Sequence, residues 1–265
     1  MIRRGIGVQS FVSAGAGTDA DAQAFITAAG ITDATQQTAI NTLVTDLKGY
    51  GIWTKMKAIY PMVGGTSSTH KWNLKDPRDL DAAFRLVFSG GWTHSSNGIT
   101  GNGVNTFAQS FLNDNSVLQL DSAHLSIYSR TNSDGLLCDI GCNMTSDIET
   151  NLWAKFSNVF YPRIHKTNAG IANTVSSLGF FISNRISSTE IRAMQTGTLR
   201  TITNVSSGKA SLNIIIGALQ SSFGVDYYSN RQYAFASIGD GLTDIEMTNL
   251  TNIVNTYQTS LNRQV

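Results

Sequence analysis

In the stretch YAFASIGDGLTDIEMTNL, residues 233–250, the spacing of the hydrophobic residues changes from that of a strand to that of a helix. Its first part alternates aromatic and small residues, which is typical of a β-strand. Thr243 and Glu246 then form the S/T-x-x-E pattern of a helix capping box. The apolar residues that follow recur at helical spacing, and they are Leu250, Ile253, Val254, Tyr257 and Leu261. We therefore predict a strand that leads directly into a C-terminal helix.

The turn between these two elements, Gly239-Asp240-Gly241, begins like the G-x-G-x-x-G phosphate-binding motif. Asp244 occupies the place of the third glycine, and the acidic side chains around the turn would repel a phosphate. A calcium site through Asp240, Asp244 and Glu246 is an alternative, because hard cations bind several oxygen ligands. We interpret the turn as a plain link from strand to capped helix.

Short alternating runs separated by polar turns fill the chain from about Leu80. They are AHLSIYSRT (123–131), LGFFISNR (178–185), TLRTITNV (198–205), LNIIIGAL (212–219) and RQYAFASI (231–238). A parallel α/β fold needs a helix after each strand, and no helical pattern lies between these runs. The pattern predicts a mainly β fold, an antiparallel β-sandwich. Ser229-Asn230 is predicted to be the turn of a hairpin between two aromatic strands.

The first sixty residues differ from the rest of the chain. Two helices are predicted, one over residues 18–30 and one over residues 31–51, followed by a strand over residues 52–60. We predict a division of the chain into an N-terminal arm and helical docking segment, residues 1–60, and a sandwich with its C-terminal helix, residues 61–265.

Composition excludes two classes of partner. The 265 residues carry a net charge of only +1, and charged residues make up 14%, which argues against a dedicated nucleic-acid binder. The most charged segment, KWNLKDPRDLDAAFR (71–85), mixes basic with acidic residues and is predicted to be a self-neutralised, solvated turn. No stretch approaches the roughly 20 apolar residues of a membrane helix. We expect neither nucleic acid nor membrane insertion.

Catalytic chemistry has little support in the sequence. Glycoside hydrolysis needs two carboxylates about 5 to 9 Å apart, but the three glutamates form no E-x-D-x-E strand pattern, and Asp147 and Glu149 lie in turn-like sequence. No G-x-S-x-G nucleophile motif occurs. We predict that the protein is not an enzyme, with no catalytic residue, no metal site and no cofactor.

The histidines and cysteines are predicted to be structural. The histidines are scattered without metal-ligand spacing, and we expect surface or turn positions for His70, His94, His124 and His165. Cys138 and Cys142 would lie about 13 Å apart in a strand, beyond the reach of a disulfide. We predict two free thiols.

The segment FSGGWTHSSNGITGNGVNTF, residues 88–107, is the richest in ligand-binding residue types. Its glycines surround Trp92, His94, Asn97 and Asn102, which are the candidate carbohydrate-binding residues. An exposed tryptophan beside amide side chains could stack on a sugar ring and bond its hydroxyls. The alternative, which we favour, is that Trp92 plugs the core beneath a long loop.

One block, residues 55–103, begins KMKAIYPMVGG, and a second, residues 233–263, begins YAFASIGDGL. These two blocks resemble virion structural proteins of tailed bacteriophages. The middle of the chain, residues 123–219, is similar to the concanavalin A-like, laminin-G-like jelly roll. Together these segments cover about two-thirds of the chain.

The resemblance implies a non-enzymatic virion subunit of the tail, fibre, baseplate or head decoration, with a lectin-like sandwich. Its implied partners are other virion proteins and copies of itself, and it would be assembled in the bacterial cytoplasm. The metal-binding acids of lectins have no clear counterparts here. A receptor-binding lectin that recognises a host-surface glycan is the alternative, and a polysaccharide depolymerase is a further one.

Overall fold

The computed structural model describes residues 17–167 and 169–265, which form two β-sheets and several helices. The helices are α1 (Ala20–Ala29), α2 (Ala34–Gly49), α3 (Ser67–His70), α4 (Asp114–Val117) and α5 (Asp244–Ser260). The first strands are β1 (Met56–Tyr60), β2 (Val87–Ser89), β3 (Thr93–Ser95), β4 (Gly98–Thr100), β5 (Phe107–Asn113) and β6 (Ala123–Ser129). The next are β7 (Ile140–Thr145), β8 (Ile148–Phe156), β9 (Val159–Ile164), β10 (Ile171–Ala172), β11 (Gly179–Arg185) and β12 (Glu190–Gln195). The last are β13 (Thr198–Thr203), β14 (Asn213–Ile216), β15 (Leu219–Ser221), β16 (Gly224–Asp226) and β17 (Gln232–Gly239).

The strands pair into a sandwich. Sheet A has the order β13-β12-β11-β6-β17-β4-β3, and β1 also pairs with β17. Sheet B has the order β10-β9-β8-β7-β14-β5-β2, with the hairpin β15–β16 beside β7. The pairs are antiparallel except β15 with β7. The predicted fold class is confirmed as a mainly β, antiparallel sandwich with helices near its N-terminus and at its C-terminus.

The fold has three layers, which are the helices, sheet A and sheet B, and an apolar core lies between each neighbouring pair. The inner faces of the sheets meet through residues such as Leu125 of sheet A and Leu152 of sheet B. The other face of sheet A packs against α1, α2 and α5, where Phe235 meets Tyr257 with ring centroids 6.3 Å apart. The central strands β6, β11 and β17 of sheet A are therefore buried on both faces, and the outer face of sheet B carries a separate, smaller cluster around Trp153.

The predicted helix boundaries follow from local capping. The Asp19 side chain accepts a hydrogen bond from the Asp21 amide at the start of α1, and Gly30 ends that helix in the left-handed conformation. Thr243 and Glu246 form the predicted capping box at the start of α5. The three predicted helices are confirmed.

The glycine turn after β17 is also the predicted link from strand to helix. A Cβ atom on Gly239 would lie 2.3 Å from the Lys55 carbonyl oxygen, so the close approach of the neighbouring strand requires glycine there. The acidic groups near the turn are ion-paired, Asp240 with Lys57 at 2.8 Å and Glu246 with Lys55 at 2.5 Å. These pairs neutralise the oxygen atoms that the calcium alternative needed.

The predicted hairpin at Ser229-Asn230 is wrong. The strand before it, β16, pairs with β15 in sheet B, whereas β17 belongs to sheet A. The segment between them therefore crosses from one sheet to the other instead of reversing within one. Ser229 is buried in this crossing, and its Oγ lies 2.6 Å from the Tyr233 hydroxyl oxygen.

The charged segment 71–85 is confirmed as a self-neutralised turn. Lys71 and Arg85 both pair with Asp79, at 2.5 and 2.8 Å, and Arg78 pairs with Asp76 at 2.5 Å. None of the described helices combines the length and the apolar content needed to cross a bilayer.

The proposed division at residue 60 stays a prediction. Residues 1–16 of the predicted arm lie outside the described residues. Of the rest of that segment, β1 is a strand of sheet A, and α1 and α2 share one apolar core with α5. The described part of the docking segment is thus packed on the sandwich.

Candidate functional site

Trp92, the centre of the predicted carbohydrate loop, is half-buried at the edge of the sandwich. Its Nε1 donates a hydrogen bond to the Phe107 carbonyl at 3.2 Å. The ring lies against Gly217, where an added Cβ atom would come within 2.4 Å of Cη2. These contacts agree with the interpretation of Trp92 as a core plug.

The other predicted residues of this loop bond mainly within the loop. The Asn102 Oδ1 accepts from the amides of Val104 and Asn105, at 2.9 and 3.0 Å. His94 Nδ1 lies 2.9 Å from His70 Nδ1, and Asn97 is an exposed turn residue. Sugar binding by Trp92, His94, Asn97 and Asn102 stays a prediction.

We expect Trp92→Ala to lower the free energy of unfolding by about 2 kcal/mol, because a fully buried aromatic costs ~3–5 kcal/mol when truncated and Trp92 is half-buried. Urea denaturation measures the change. Asn97→Ala in the same loop is the control and is expected to stay within about 0.5 kcal/mol. Unchanged stability in Trp92→Ala would instead support an exposed, ligand-binding role.

The prediction of surface or turn histidines is wrong for three of the four. His70, His124 and His165 have exposures of 1%, 0% and 0%. Each finds hydrogen-bond partners inside the protein; His165, for example, bonds Asp114 through Nε2 at 2.9 Å. Polar residues can be buried when such bonds replace water, and isolated sequence positions carry no sign of those partners.

The two cysteines are free thiols, as predicted, and both are buried. Burial raises the pKa of each thiol. Among residues 17–167 and 169–265, no cluster of three or more His, Cys, Asp or Glu side chains is arranged to hold a metal ion.

A pocket of about 200 Å³ lies on the outer face of sheet B. Strand alternation builds it, because side chains two residues apart point to the same face. In β8, Leu152 and Ala154 enter the sandwich core, so Glu149 and Trp153 lie on the opposite face. The remaining lining residues are Leu136, Asn143, Phe156, Tyr161, Arg163, Leu219 and Tyr227.

Aromatic rings form much of the wall of this pocket. The Trp153 ring lies 5.0 Å from that of Tyr227 and 6.2 Å from that of Phe156, measured between centroids. Phe156 continues to Tyr161 at 6.2 Å, and the Arg163 guanidinium lies 4.6 Å above the Tyr161 ring. The rings support one another at distances typical of favourable aromatic and cation–π pairs.

One ion pair supplies the charge of the pocket. Arg163 Nη1 donates to Glu149 Oε2 at 2.7 Å, and Asn151 Nδ2 donates to the same oxygen at 3.3 Å. Asn143 Nδ2 makes a longer bond of 3.4 Å to Glu149 Oε1. Asp147, which the sequence placed beside Glu149, pairs separately with Lys166. The two carboxylates are therefore held by different cations.

Unpaired polar atoms concentrate at this pocket. Five buried side-chain nitrogen or oxygen atoms have no hydrogen-bond partner among the described residues. Two of them, Trp153 Nε1 and Arg163 Nε, belong to lining residues, and Asn151 Oδ1 belongs to the same strand as Trp153. Buried polar groups nearly always have a partner. Both nitrogens have less than 1 Å² of accessible surface, so a ligand in the pocket does not reach them.

The sequence analysis did not identify this pocket. Its local signal was Trp153, Tyr161 and Arg163 at outward positions of two neighbouring strands. Leu136 and Tyr227 reach the pocket from loops far away in sequence. Their convergence depends on the pairing of β7 with β8 and of β15 with β7.

The sequence matches no family model, and no curated protein is significantly similar to it. Among solved structures the chain is similar to domain 4 of AbnA, a GH43 extracellular arabinanase from Geobacillus stearothermophilus, in complex with arabinotriose. The identity is 10% and the TM-score 0.45, over 74% of this chain and 98% of that one. It is also similar to CBM40 of the Ruminococcus gnavus IT-sialidase bound to alpha2,3 sialyllactose, at 15% identity and a TM-score of 0.40, over 50% of this chain and 83% of that one. At this level of similarity, the functional role of a residue in those proteins cannot be assigned to a residue of this chain.

Proposed function

We propose that this protein is a non-enzymatic, lectin-like subunit of a tailed-phage virion that binds a host-surface saccharide in the pocket on sheet B. The observation that carries the proposal is the aromatic wall around Trp153, with Tyr227 partly exposed beside it. A sugar ring has C–H faces that pack on aromatic rings and hydroxyls that accept hydrogen bonds. Binding pockets typically combine apolar walls with a few placed polar groups in this way.

The chemistry of the pocket supports binding rather than hydrolysis. Glycosidases need an acid and a second carboxylate flanking the scissile bond. Glu149 is the carboxylate among the described lining residues, and Arg163 holds it in an ion pair at 2.7 Å. No second carboxylate lines the pocket among residues 17–167 and 169–265.

The virion part of the proposal rests on the resemblance of residues 55–103 and 233–263 to phage structural proteins. The partners would be other virion proteins and further copies of this chain. Antibody labelling of purified particles, viewed by electron microscopy, tests this part separately. Absence of label from intact and from opened particles would contradict it.

We expect Tyr227→Ala to weaken saccharide binding by about tenfold or more. Tyr227 is 43% exposed and packs on Trp153, and truncation of such an aromatic anchor commonly costs ~1–2 kcal/mol of binding. A panel of bacterial-surface glycans identifies a ligand, and calorimetric titration measures its affinity.

Tyr50→Ala is the matched control, because Tyr50 is 57% exposed and lies outside the pocket. The Tyr50→Ala variant should bind the glycan with the same affinity as the unchanged protein. Equal affinity in both variants would place binding elsewhere, and a loss in Trp92→Ala at unchanged stability would move the site to residues 88–107. A folded protein that binds no glycan of the panel would contradict the proposed function.

A further inference from the structure

We propose that the open edge of sheet A is the surface through which two copies of this chain associate, strand β13 of one against strand β13 of the other. β13 (Thr198–Thr203) is the terminal strand of sheet A, and among the described residues it pairs only with β12. The proposal concerns an interaction surface and does not depend on the saccharide pocket.

The first argument is the length of this edge compared with the others. Proteins avoid unwanted strand addition by keeping edge strands short or by covering them. The edge strands β2, β3, β10 and β16 have only two or three residues each. β1 has five, but the Leu74 amide donates to its Ile59 carbonyl at 2.8 Å and Asn73 Oδ1 accepts from the Ile59 amide at 2.9 Å. β13 has six residues, and no described residue pairs across its edge.

The second argument is the set of backbone groups that this edge presents. The turn Thr196-Gly197 between β12 and β13 has positive φ at both positions, 45° and 86°, as in a two-residue hairpin. In such a hairpin Gln195 and Thr198 exchange hydrogen bonds, and every second pair along the ladder does the same. The residues whose N–H and C=O groups point away from β12 are therefore Leu199, Thr201 and Thr203.

The third argument is that β13 lacks the usual protection of an edge. Its sequence, TLRTIT, contains neither lysine nor proline, and its register with β12 shows no shift along the strand. The one charged side chain, Arg200, makes only a 3.4 Å contact with the Leu199 carbonyl. The edge therefore has the regular geometry that an added strand needs.

A second copy related by a two-fold axis at Thr201 fits this edge. Antiparallel pairing about that axis places Thr201 opposite its counterpart and Leu199 opposite Thr203, so each outward N–H meets an outward C=O. Arg200 then lies opposite Ile202. Like charges are not directly opposed in this register.

The same register also gives Val205 a contact. Val205 is 60% exposed just beyond the end of β13. It would lie opposite Gly197 of the second copy, and within one chain a Cβ added to Gly197 meets no atom within 4 Å. Burial of the valine there would add a hydrophobic contribution to the backbone hydrogen bonds.

Sedimentation velocity over a concentration series tests the association. We expect a species with twice the 28.6 kDa mass of one chain. Thr201→Pro removes an outward N–H in both copies but no bond to β12, so it should weaken association at least about tenfold. Thr201→Val keeps that N–H and is the matched control, which should associate like the unchanged protein. Circular dichroism checks that both variants fold.

Thr201→Cys tests the register. Directly opposed residues of a hydrogen-bonded antiparallel pair have Cα atoms about 5.5 Å apart, which a disulfide can span. Oxidised glutathione should therefore join two copies of this variant. Arg200→Cys is the control, because its counterpart lies diagonally across the pair at about 7–8 Å and should stay unjoined. The native Cys138 and Cys142 are buried in each copy.

A protein that stays monomeric at every concentration would overturn the proposal, and so would undiminished association of folded Thr201→Pro. If Thr201→Pro does not fold, the cysteine variants decide. Joining through position 200 rather than 201, or through neither position, would overturn the proposed edge. These results leave the saccharide proposal untouched, since Tyr227→Ala tests that separately.

Discussion

Replacing Arg231 with leucine is expected to lower the free energy of unfolding by about 3–5 kcal/mol, because it leaves a buried carboxylate without its cation. Arg231 and Asp139 are both 0% exposed, and Nη1 donates to the two carboxylate oxygens at 2.9 and 2.8 Å. Nη2 donates to the carbonyls of Ser133 and Lys155 at 2.9 and 2.7 Å.

The same carboxylate links the two sheets. Asp139 accepts from the Ala154 amide of β8 at 2.6 Å and from the Tyr233 hydroxyl of β17 at 2.7 Å. The variant therefore disturbs sheet A, sheet B and the crossing segment that contains Arg231. The loss should appear as a single cooperative change rather than as local loosening.

Thermal and urea denaturation measure the effect. A loss of this size corresponds to a fall of roughly 10 °C in melting temperature for a domain of this length. Arg192→Leu is the control, since the pair of Arg192 with Glu190 is partly exposed and such pairs contribute only ~0–1 kcal/mol. A loss below about 1 kcal/mol in Arg231→Leu would mean that water reaches Asp139 in the folded protein.

Acidification from pH 7 to about pH 4 is expected to lower the free energy of unfolding by several kcal/mol through two buried histidines. Burial lowers the pKa of His124 to about 4 and that of His70 to about 3. His124 Nδ1 faces the Asp240 carbonyl at 2.7 Å, and Nε2 faces the Ser237 hydroxyl at 3.1 Å. Both contacts suit the neutral ring.

The direction follows from proton binding. The folded protein keeps these rings neutral, whereas the unfolded chain protonates them below about pH 6.5. The stabilisation is therefore fully present above pH 6.5 and is lost as the pH falls towards the folded pKa values. Each ring contributes up to about 1.4 kcal/mol per pH unit over that range, or on the order of 5 kcal/mol for the two at pH 4.

Urea denaturation at pH 7, 6, 5 and 4.5 measures this slope. His124→Gln removes one titrating ring, so its stability should depend less steeply on pH even if it is less stable at pH 7. A stability that stays constant between pH 6.5 and 4.5 would contradict the prediction. The exposed carboxylate pairs, such as Asp79 with Lys71, contribute mainly at lower pH.

Neither strands β8 and β9 nor the site that they form was predicted, and Glu149, which we expected in turn-like sequence, lies in β8. Trp153 and Arg163 lie in these strands, and either residue alone resembles others in the chain. Their partners Leu136 and Tyr227 enter from two adjacent crossing segments, where the Cys138 amide donates to the Tyr227 carbonyl at 2.9 Å. Only the order of strands in sheet B brings these four residues together.

β6 illustrates the same limit within the fold. Its alternation of Leu125 and Ile127 against His124 and Ser126 suggests one apolar face and one solvated face. The polar face is instead buried, and Ser237 Oγ bridges Ser126 Oγ at 2.6 Å and His124 Nε2 at 3.1 Å. Alternation identifies the two faces of a strand but does not identify what covers them.

The sequence by itself therefore determined the capped helices, the alternating strands and the glycine turn before α5, because these depend on residues within a few positions of one another. Tertiary structure decided which sheet faces are buried, the exchange of sheets at Ser229, the buried pair of Arg231 with Asp139 and the pocket around Trp153. These features depend on contacts between residues that are distant in the chain, and the pairing of strands selects those contacts.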